Sequence, residues 1–240
     1  IWGMGIASRD LTGDGRDEVF LTSMGDQLLQ LAQKDGTYFA APFAIGTYAH
    51  RPYFGDDGRP STGWHAQFGD VNNDGRPDLF ISKGNVDQMP SNAIRDPNNL
   101  LMQQIDGTFA EAGLSAGVAS TDRGRGAALA DFDLDGRLDI LVLNRRAPMQ
   151  IYRNETESVG HWLNIKLTQD GGNRNAVGAR VTVGEDVQQI SVGGGHAGGQ
   201  ALPLHFGLGA TMRVNIMVEW PNGAVSTHEA KADQTLHLHR

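Results

Sequence analysis

Short apolar runs recur through the first part of the chain, each followed by a polar turn and then a second run. Val19-Phe20-Leu21, Leu79-Phe80-Ile81 and Ile140-Leu141-Val142-Leu143 read as buried strands. Gln27-Leu28-Leu29, Asn99-Leu100-Leu101 and Met149-Gln150-Ile151-Tyr152 follow as second strands. Two copies continue into a matching turn and strand start, Asp35-Gly36-Thr37-Tyr38-Phe39 and Asp106-Gly107-Thr108-Phe109. From His161 the pattern changes to alternation, in Trp162–Leu167, Ala179–Val183, Val214–Trp220 and Thr235–His239. Turns fall at Asp170-Gly171-Gly172-Asn173 and Pro221-Asn222-Gly223. The pattern predicts an all-β chain, with repeated strand units over residues 1–155 and a small β-sandwich or barrel-like domain over 161–240. The polar segment Glu155–Gly160 joins them.

A nine-residue polar pattern precedes the main strand of every copy. It reads Asp10-Leu11-Thr12-Gly13-Asp14-Gly15-Arg16-Asp17-Glu18, then Asp70-Val71-Asn72-Asn73-Asp74-Gly75-Arg76-Pro77-Asp78, then Asp131-Phe132-Asp133-Leu134-Asp135-Gly136-Arg137-Leu138-Asp139. Carboxylates or other oxygens stand at positions 1, 3, 5 and 9, and glycine at position 6 allows a sharp turn. A hard cation such as Ca²⁺ takes six to eight oxygens, and alternate side chains on a curled loop supply most of them. The position-7 carbonyls of Arg16, Arg76 and Arg137 add a backbone oxygen. The candidate ligands are therefore Asp10, Thr12, Asp14, Arg16 and Glu18; Asp70, Asn72, Asp74, Arg76 and Asp78; and Asp131, Asp133, Asp135, Arg137 and Asp139. Up to three Ca²⁺ ions are expected, one per loop. An EF-hand is excluded, because position 12 must carry a bidentate Glu and here holds Leu21, Ile81 and Val142. The plain alternative is a metal-free turn whose Asp side chains cap backbone amides.

The loops start 60 and 61 residues apart, and a glycine stands seven residues before each start, at Gly3, Gly63 and Gly124. The Gly-Thr turns divide this spacing unequally, so the underlying unit is nearer ~50 residues, with one insertion per copy. The insertions lie within Tyr48–Thr62 and Asn85–Asn98. Repeats of this length with roughly four strands predict β-propeller blades. Each blade leans on its neighbours, so three alone leave two uncovered flanks. Further blades, upstream in a longer precursor or from another chain, are the expected cover.

Composition sharpens the partner classes. The net charge is −8, and the ten candidate-ligand carboxylates outnumber it, so the acidity mostly belongs to the ion loops. Nucleic acid has no electrostatic support as a partner. Zero cysteines exclude disulfides and thiolate metal sites. No apolar run approaches the roughly 20 residues that span a bilayer. The first residue is Ile1, and the chain reads as a mature product or a fragment.

The loops and strands of residues 1–155 resemble the FG-GAP/VCBS repeat family, whose signature is Asp-x-[Asp/Asn]-x-Asp-Gly-x-x-Asp followed by an apolar strand. The third copy matches fully and the second carries Asn72 at position 3. The first departs, with Thr12 at position 3 and Glu18 at position 9, so its site is expected to be weaker or differently coordinated. The C-terminal part resembles the ASPIC/UnbV domain, through Trp162-Leu163, Asn173-Arg174-Asn175, Val177-Gly178-Ala179-Arg180-Val181, Leu204-His205-Phe206-Gly207-Leu208-Gly209 and Glu219-Trp220-Pro221-Asn222-Gly223. This order is that of the cartilage-acidic-protein-like family. The resemblance implies a partial β-propeller and an extracellular or periplasmic calcium-binding protein.

Four further features bear on function. Gly193-Gly194-Gly195-His196-Ala197-Gly198 matches G-x-G-x-x-G, but Pro203 and more strand pattern follow instead of a helix, so a loop packed against neighbouring backbone is expected. His237 and His239 share one strand face, and a solvated face is expected there. Asn154-Glu155-Thr156 is a formal N-glycosylation acceptor. The insertions point to a recognition surface for a protein or glycan partner. The competing readings are a carbohydrate-active enzyme with a cleft near His50, Tyr53 and Asp56, and an accessory subunit of a larger assembly.

Overall fold

The computed structural model describes residues 3–25, 27–48, 61–86, 95–157, 159–196, 199 and 203–240. Three antiparallel meanders come first. β1 (Gly3–Arg9), β2 (Glu18–Ser23), β3 (Leu28–Ala32) and β4 (Tyr38–Ala40) form the first blade. β5 (Gly63–Gly69), β6 (Asp78–Lys83), β7 (Asn99–Gln103) and β8 (Phe109–Glu111) form the second. β9 (Gly124–Ala130), β10 (Asp139–Asn144) and β11 (Gln150–Tyr152) form the third. Gly3, Gly63 and Gly124 each open the first strand of a blade, and those strands, β1, β5 and β9, lie side by side. The sequence-predicted apolar runs are β2, β6 and β10.

Packing between blades explains the unbroken apolar run in β6. Successive strand residues point to opposite faces, so Leu79 and Ile81 turn one way and Phe80 the other. Leu79 and Ile81 meet Phe20 and Leu29 of the first blade. Phe80 meets Leu129, Ile140 and Val142 of the third blade. A strand buried on both faces has no polar alternation to show. Burying each such side chain contributes about 1.5–3 kcal/mol, so the middle blade anchors the other two. The blades do not close into a ring among the described residues: Ile6 on one flank, and Leu143, Met149 and Ile151 on the other, are exposed.

The C-terminal strands form two further sheets. β12 (His161–Thr168) pairs antiparallel with β15 (Leu204–Gly209) and parallel with β18 (Gln234–His239). β13 (Arg180–Val183), β14 (Asp186–Gln189), β16 (Arg213–Glu219) and β17 (Val225–Lys231) make the second sheet, ordered β14-β13-β16-β17. Leu163, Ile165, Val181, Phe206, Ile216, Val218 and Trp220 fill the space between them. Two sheets sharing one core make a β-sandwich. His237 and His239 point to solvent while Leu238 is buried.

Candidate metal centres and their surroundings

The three nine-residue loops fold alike, at the same end of their blades, because each joins a blade's first and second strands. Position 4 takes a left-handed backbone in all three, at Gly13 (φ 72), Asn73 (φ 56) and Leu134 (φ 64). Position 6 does so as well, at Gly15, Gly75 and Gly136. Asn tolerates that region, whereas Leu134 is held there at a cost of about 1 kcal/mol or more.

Position 1 closes the turn. Asp10 accepts the N–H groups of Gly13 (2.8 Å) and Gly15 (2.7 Å). Asp70 accepts those of Asp74 (3.1 Å) and Gly75 (2.7 Å). Asp131 accepts those of Asp135 (3.0 Å) and Gly136 (3.0 Å). Position 5 is charge-paired: the position-7 guanidinium of Arg16, Arg76 and Arg137 pairs with Asp14, Asp74 and Asp135 respectively. In the third loop Arg153 adds a second cation, 2.8 Å from Asp133.

Position 9 turns to the backbone. Both Glu18 oxygens accept, from the N–H of Leu11 (2.8 Å) and that of Ala32 (3.3 Å). Asp78 bridges Val71 (3.0 Å) and Gln103 (2.9 Å). Asp139 bridges Phe132 (3.1 Å) and Asn154 (2.8 Å). Each position-9 carboxylate thus ties the loop's second residue to the end of the blade's third strand or just beyond it.

Burial shifts some of the loop carboxylates. It pushes Asp70 up to about 7 and Asp78 up to about 8, against the backbone donors that favour the charged form. Burial also raises Glu18 and Asp131. For Asp135 the upward pull of burial is outweighed by Arg137 and Arg153, which hold it below the usual carboxylate range.

In the third loop Asp131, Asp133 and Asp135 bring one oxygen each within 4.8 Å of one another. Three converging carboxylate oxygens on a tight loop fit a hard cation, and this cluster could hold a metal ion. Thr12 and Asn72 replace the third carboxylate in the other two loops, leaving two acidic ligands apart from position 9. The arrangement does not gather Asp139 into the cluster.

The sequence reading missed several neighbours. Spacing assigns the Arg at position 7 only a backbone carbonyl, although its presence in all three copies is a visible signal. Asn154, the glycosylation candidate, donates its side-chain amide to Val71 O (2.7 Å) and Leu138 O (3.1 Å), tying the second loop to the third. The glycine-rich segment packs against backbone as expected: Gly195 N–H donates to Ile6 O at 2.8 Å. Ala197 and Gly198 lie outside the described residues, as do His50, Tyr53 and Asp56 and most of both insertions.

The roots of those insertions are described. Lys83 and Asp96, both fully buried, lie 3.3 Å apart. Asp96 also accepts Ser61 Oγ (2.6 Å) and Thr62 N–H (2.8 Å). Gly84 N–H donates to Thr62 O at 3.0 Å. Register places this knot opposite the ion loop, since Gly63 pairs with Lys83 and Gly69 with Asp78.

Meanders with an acidic loop of this kind, followed by a sandwich, define a class. Residues 10–81 match the family model of the FG-GAP-like repeat, and residues 169–240 match that of ASPIC and UnbV. The chain thus carries an FG-GAP-like repeat followed by an ASPIC/UnbV domain. It is similar to cartilage acidic protein 1 of Mus musculus and of Homo sapiens, each 28% identical over 159 residues. The same protein of Xenopus tropicalis is 31% identical over 114 residues. The first two alignments cover 62% of this chain but 22% of each relative, and the third covers 44% and 17%. The chain therefore spans about a fifth of the length of the relatives it matches. A solved structure, Gamma-CGTASE from Alkalophilic bacillus clarkii, overlaps 97% of this chain and 39% of its own with a TM-score of 0.19 and 13% identity. A score that low carries no argument. No helix among the described residues is long and apolar enough to cross a membrane.

Proposed function

We propose that this chain is a calcium-stabilised, extracellular or periplasmic scaffold that binds a protein or glycan partner through the blade face carrying the two insertions. Ca²⁺ adds to loops that already hold their turn by backbone hydrogen bonds, and it offsets the carboxylate charge that the arginines leave. Residues 1–155 act as the blade unit and 161–240 as a sandwich seated on its ion-loop end. The observation that carries the reading is the buried Lys83–Asp96 knot. It roots both insertions side by side, at the end of the second blade away from the loops. A rigid floor under two adjacent loops is what a recognition surface needs. Abundant free calcium outside the cytosol suits weakly binding loops of this type, since extracellular modules work at Kd values of about 10⁻⁴–10⁻³ M. Further blades, from a longer chain or another one, would cover Leu143, Met149 and Ile151 on the open flank.

The test uses the intact chain on arrays of immobilised glycans and extracellular proteins, in millimolar Ca²⁺. A variant in which residues 49–60 are replaced by a short Gly/Ser linker is run beside it. Selective binding by the wild type, lost in the variant while the melting temperature holds, is expected. Binding that survives the replacement, and that of residues 87–94, would refute the assignment of the face.

A further inference from the structure

The end of the blades that carries the ion loops is covered by the C-terminal sandwich, and the contacts fall on the loops themselves. Gly209 N–H donates to Asn73 O (2.8 Å) and Gly160 N–H donates to Asn72 O (3.1 Å). Gly207 leaves room for the Asp70 carboxylate, which a methyl group at that position would overlap. The Trp162 indole lies directly over Gly136, again in space that a side chain would fill. Two glycines, one on each side, let a sheet edge reach two acidic turns.

At the centre stands His205 on β15. Its Nε2 is 2.7 Å from Asn73 Oδ1 and its Nδ1 is 2.7 Å from Asn164 Oδ1. Burial pushes the imidazole down to about 3, so the ring is uncharged and its single N–H donates to one of the two amide oxygens it touches. Asn73, position 4 of the second loop, passes the contact on by donating its amide to Gly136 O of the third loop (2.9 Å). Asn164 on β12 donates to Asp131 Oδ2 (3.3 Å), the position-1 carboxylate of the third loop. His205 thus grips, through two amides, both the glycine turn and the first ligand of the loop whose carboxylates cluster.

We infer that His205 is a positioning residue for the ion sites: the sandwich sets the affinity of the second and third loops for Ca²⁺, and ion binding in turn tightens the sandwich onto the blades. This rests on the calcium reading above. Groups that orient metal ligands from outside the ligand shell change affinity by about 10–100-fold when removed. Coupling between ion and docking must be reciprocal. The first loop lacks the amide chain. Among the described residues Arg180 Nη2 donates to Gly15 O of this loop (3.2 Å), and Arg9 at the end of β1 pairs with Asp186 (2.7 Å), so the first loop serves as an internal control.

Trp162 supplies the readout, because an indole against the third loop sensitises Tb³⁺ bound there. Sensitised emission is titrated with Tb³⁺ and competed with Ca²⁺ in the full chain, for wild type, His205→Ala, His205→Gln and Asn164→Ala. A Trp162→Phe control confirms which tryptophan reports. His205→Ala and Asn164→Ala are expected to weaken ion binding about 10–100-fold, with partial recovery in His205→Gln, which keeps a donor and an acceptor. Hydrogen exchange on the wild type gives the reciprocal reading without a variant. Ca²⁺ is expected to slow exchange at Gly160 and Gly209 while leaving the Gly223 turn unchanged. Equal affinities in folded His205→Ala and wild type, or protection confined to the loops, would overturn the inference. Failure of the wild type to bind either ion would instead overturn the calcium reading.

Discussion

Replacing Asp139 with alanine separates two roles that one carboxylate can play in a loop of this kind. Asp139 is 3% exposed, and its two oxygens accept N–H groups from Phe132 at 3.1 Å and Asn154 at 2.8 Å. Hydrogen bonds to a charged group contribute about 1.5–3 kcal/mol each. Losing both therefore costs about 3–6 kcal/mol, including two backbone donors left without partners. For a chain of this size one kcal/mol shifts the melting temperature by about 2–4 °C, so the expected fall is at least about 6 °C. Because these contacts need no ion, the loss should appear in EDTA as fully as in Ca²⁺. Asp133→Ala is the contrasting variant. Its carboxylate contacts the exposed Arg153 and joins the cluster, and a pair in open solvent adds little to stability. It should melt near wild type in EDTA and lose most of the calcium-induced rise. The assay is thermal unfolding by circular dichroism in both buffers. An Asp139→Ala chain that melts like wild type in EDTA, yet no longer responds to Ca²⁺, would refute the backbone-bridging role.

Two other outcomes follow from the same structure. Asp96→Ala removes a carboxylate 3.3 Å from the buried Lys83 ammonium and should destabilise the chain by about 3–5 kcal/mol. Lys83→Met with Asp96→Ala should recover part of that loss in urea unfolding, and a double variant worse than Asp96→Ala alone would contradict the pairing. In chelator, stability should fall as pH rises through the range of Asp70, about 7, and Asp78, about 8. The folded state holds those protons more tightly than the unfolded chain, so their contribution is present at low pH and lost on ionisation. Saturating Ca²⁺ should flatten the curve, and a melting temperature in chelator that climbs between about pH 5 and 9 would contradict the burial argument.

The sequence showed the strands with an unbroken apolar run or clean alternation. The unbroken runs gave β2, β6 and β10, and the alternating ones gave β12, β13, β16 and β18. It did not show β17, whose Val225-Ser226-Thr227-His228-Glu229-Ala230-Lys231 is largely polar because only part of one face meets the core. β15 was hidden by Gly207 and Gly209, which weaken any strand signal and whose purpose lies in the loops they touch. Spacing located the three acidic turns but could not say which way each carboxylate points. The turn of Glu18, Asp78 and Asp139 toward backbone depends on Ala32, Gln103 and Asn154, residues brought in by the third strand of each blade or the segment just after it. The same limit hid Asn73, Asn154 and Asn164, since an amide's role is set by partners distant in the chain. Those partners become neighbours only once blades and sandwich have docked.

Whether the acidic loops hold calcium is decided by counting bound ions in the intact chain. Equilibrium dialysis against Ca²⁺ from micromolar to several millimolar, with Asp135→Ala measured beside wild type, gives the number and the affinity together. Saturable binding of at least one and at most three ions, reduced in Asp135→Ala, is the predicted result. No saturable binding by wild type up to several millimolar would contradict the account and leave the loops as turns that hold themselves.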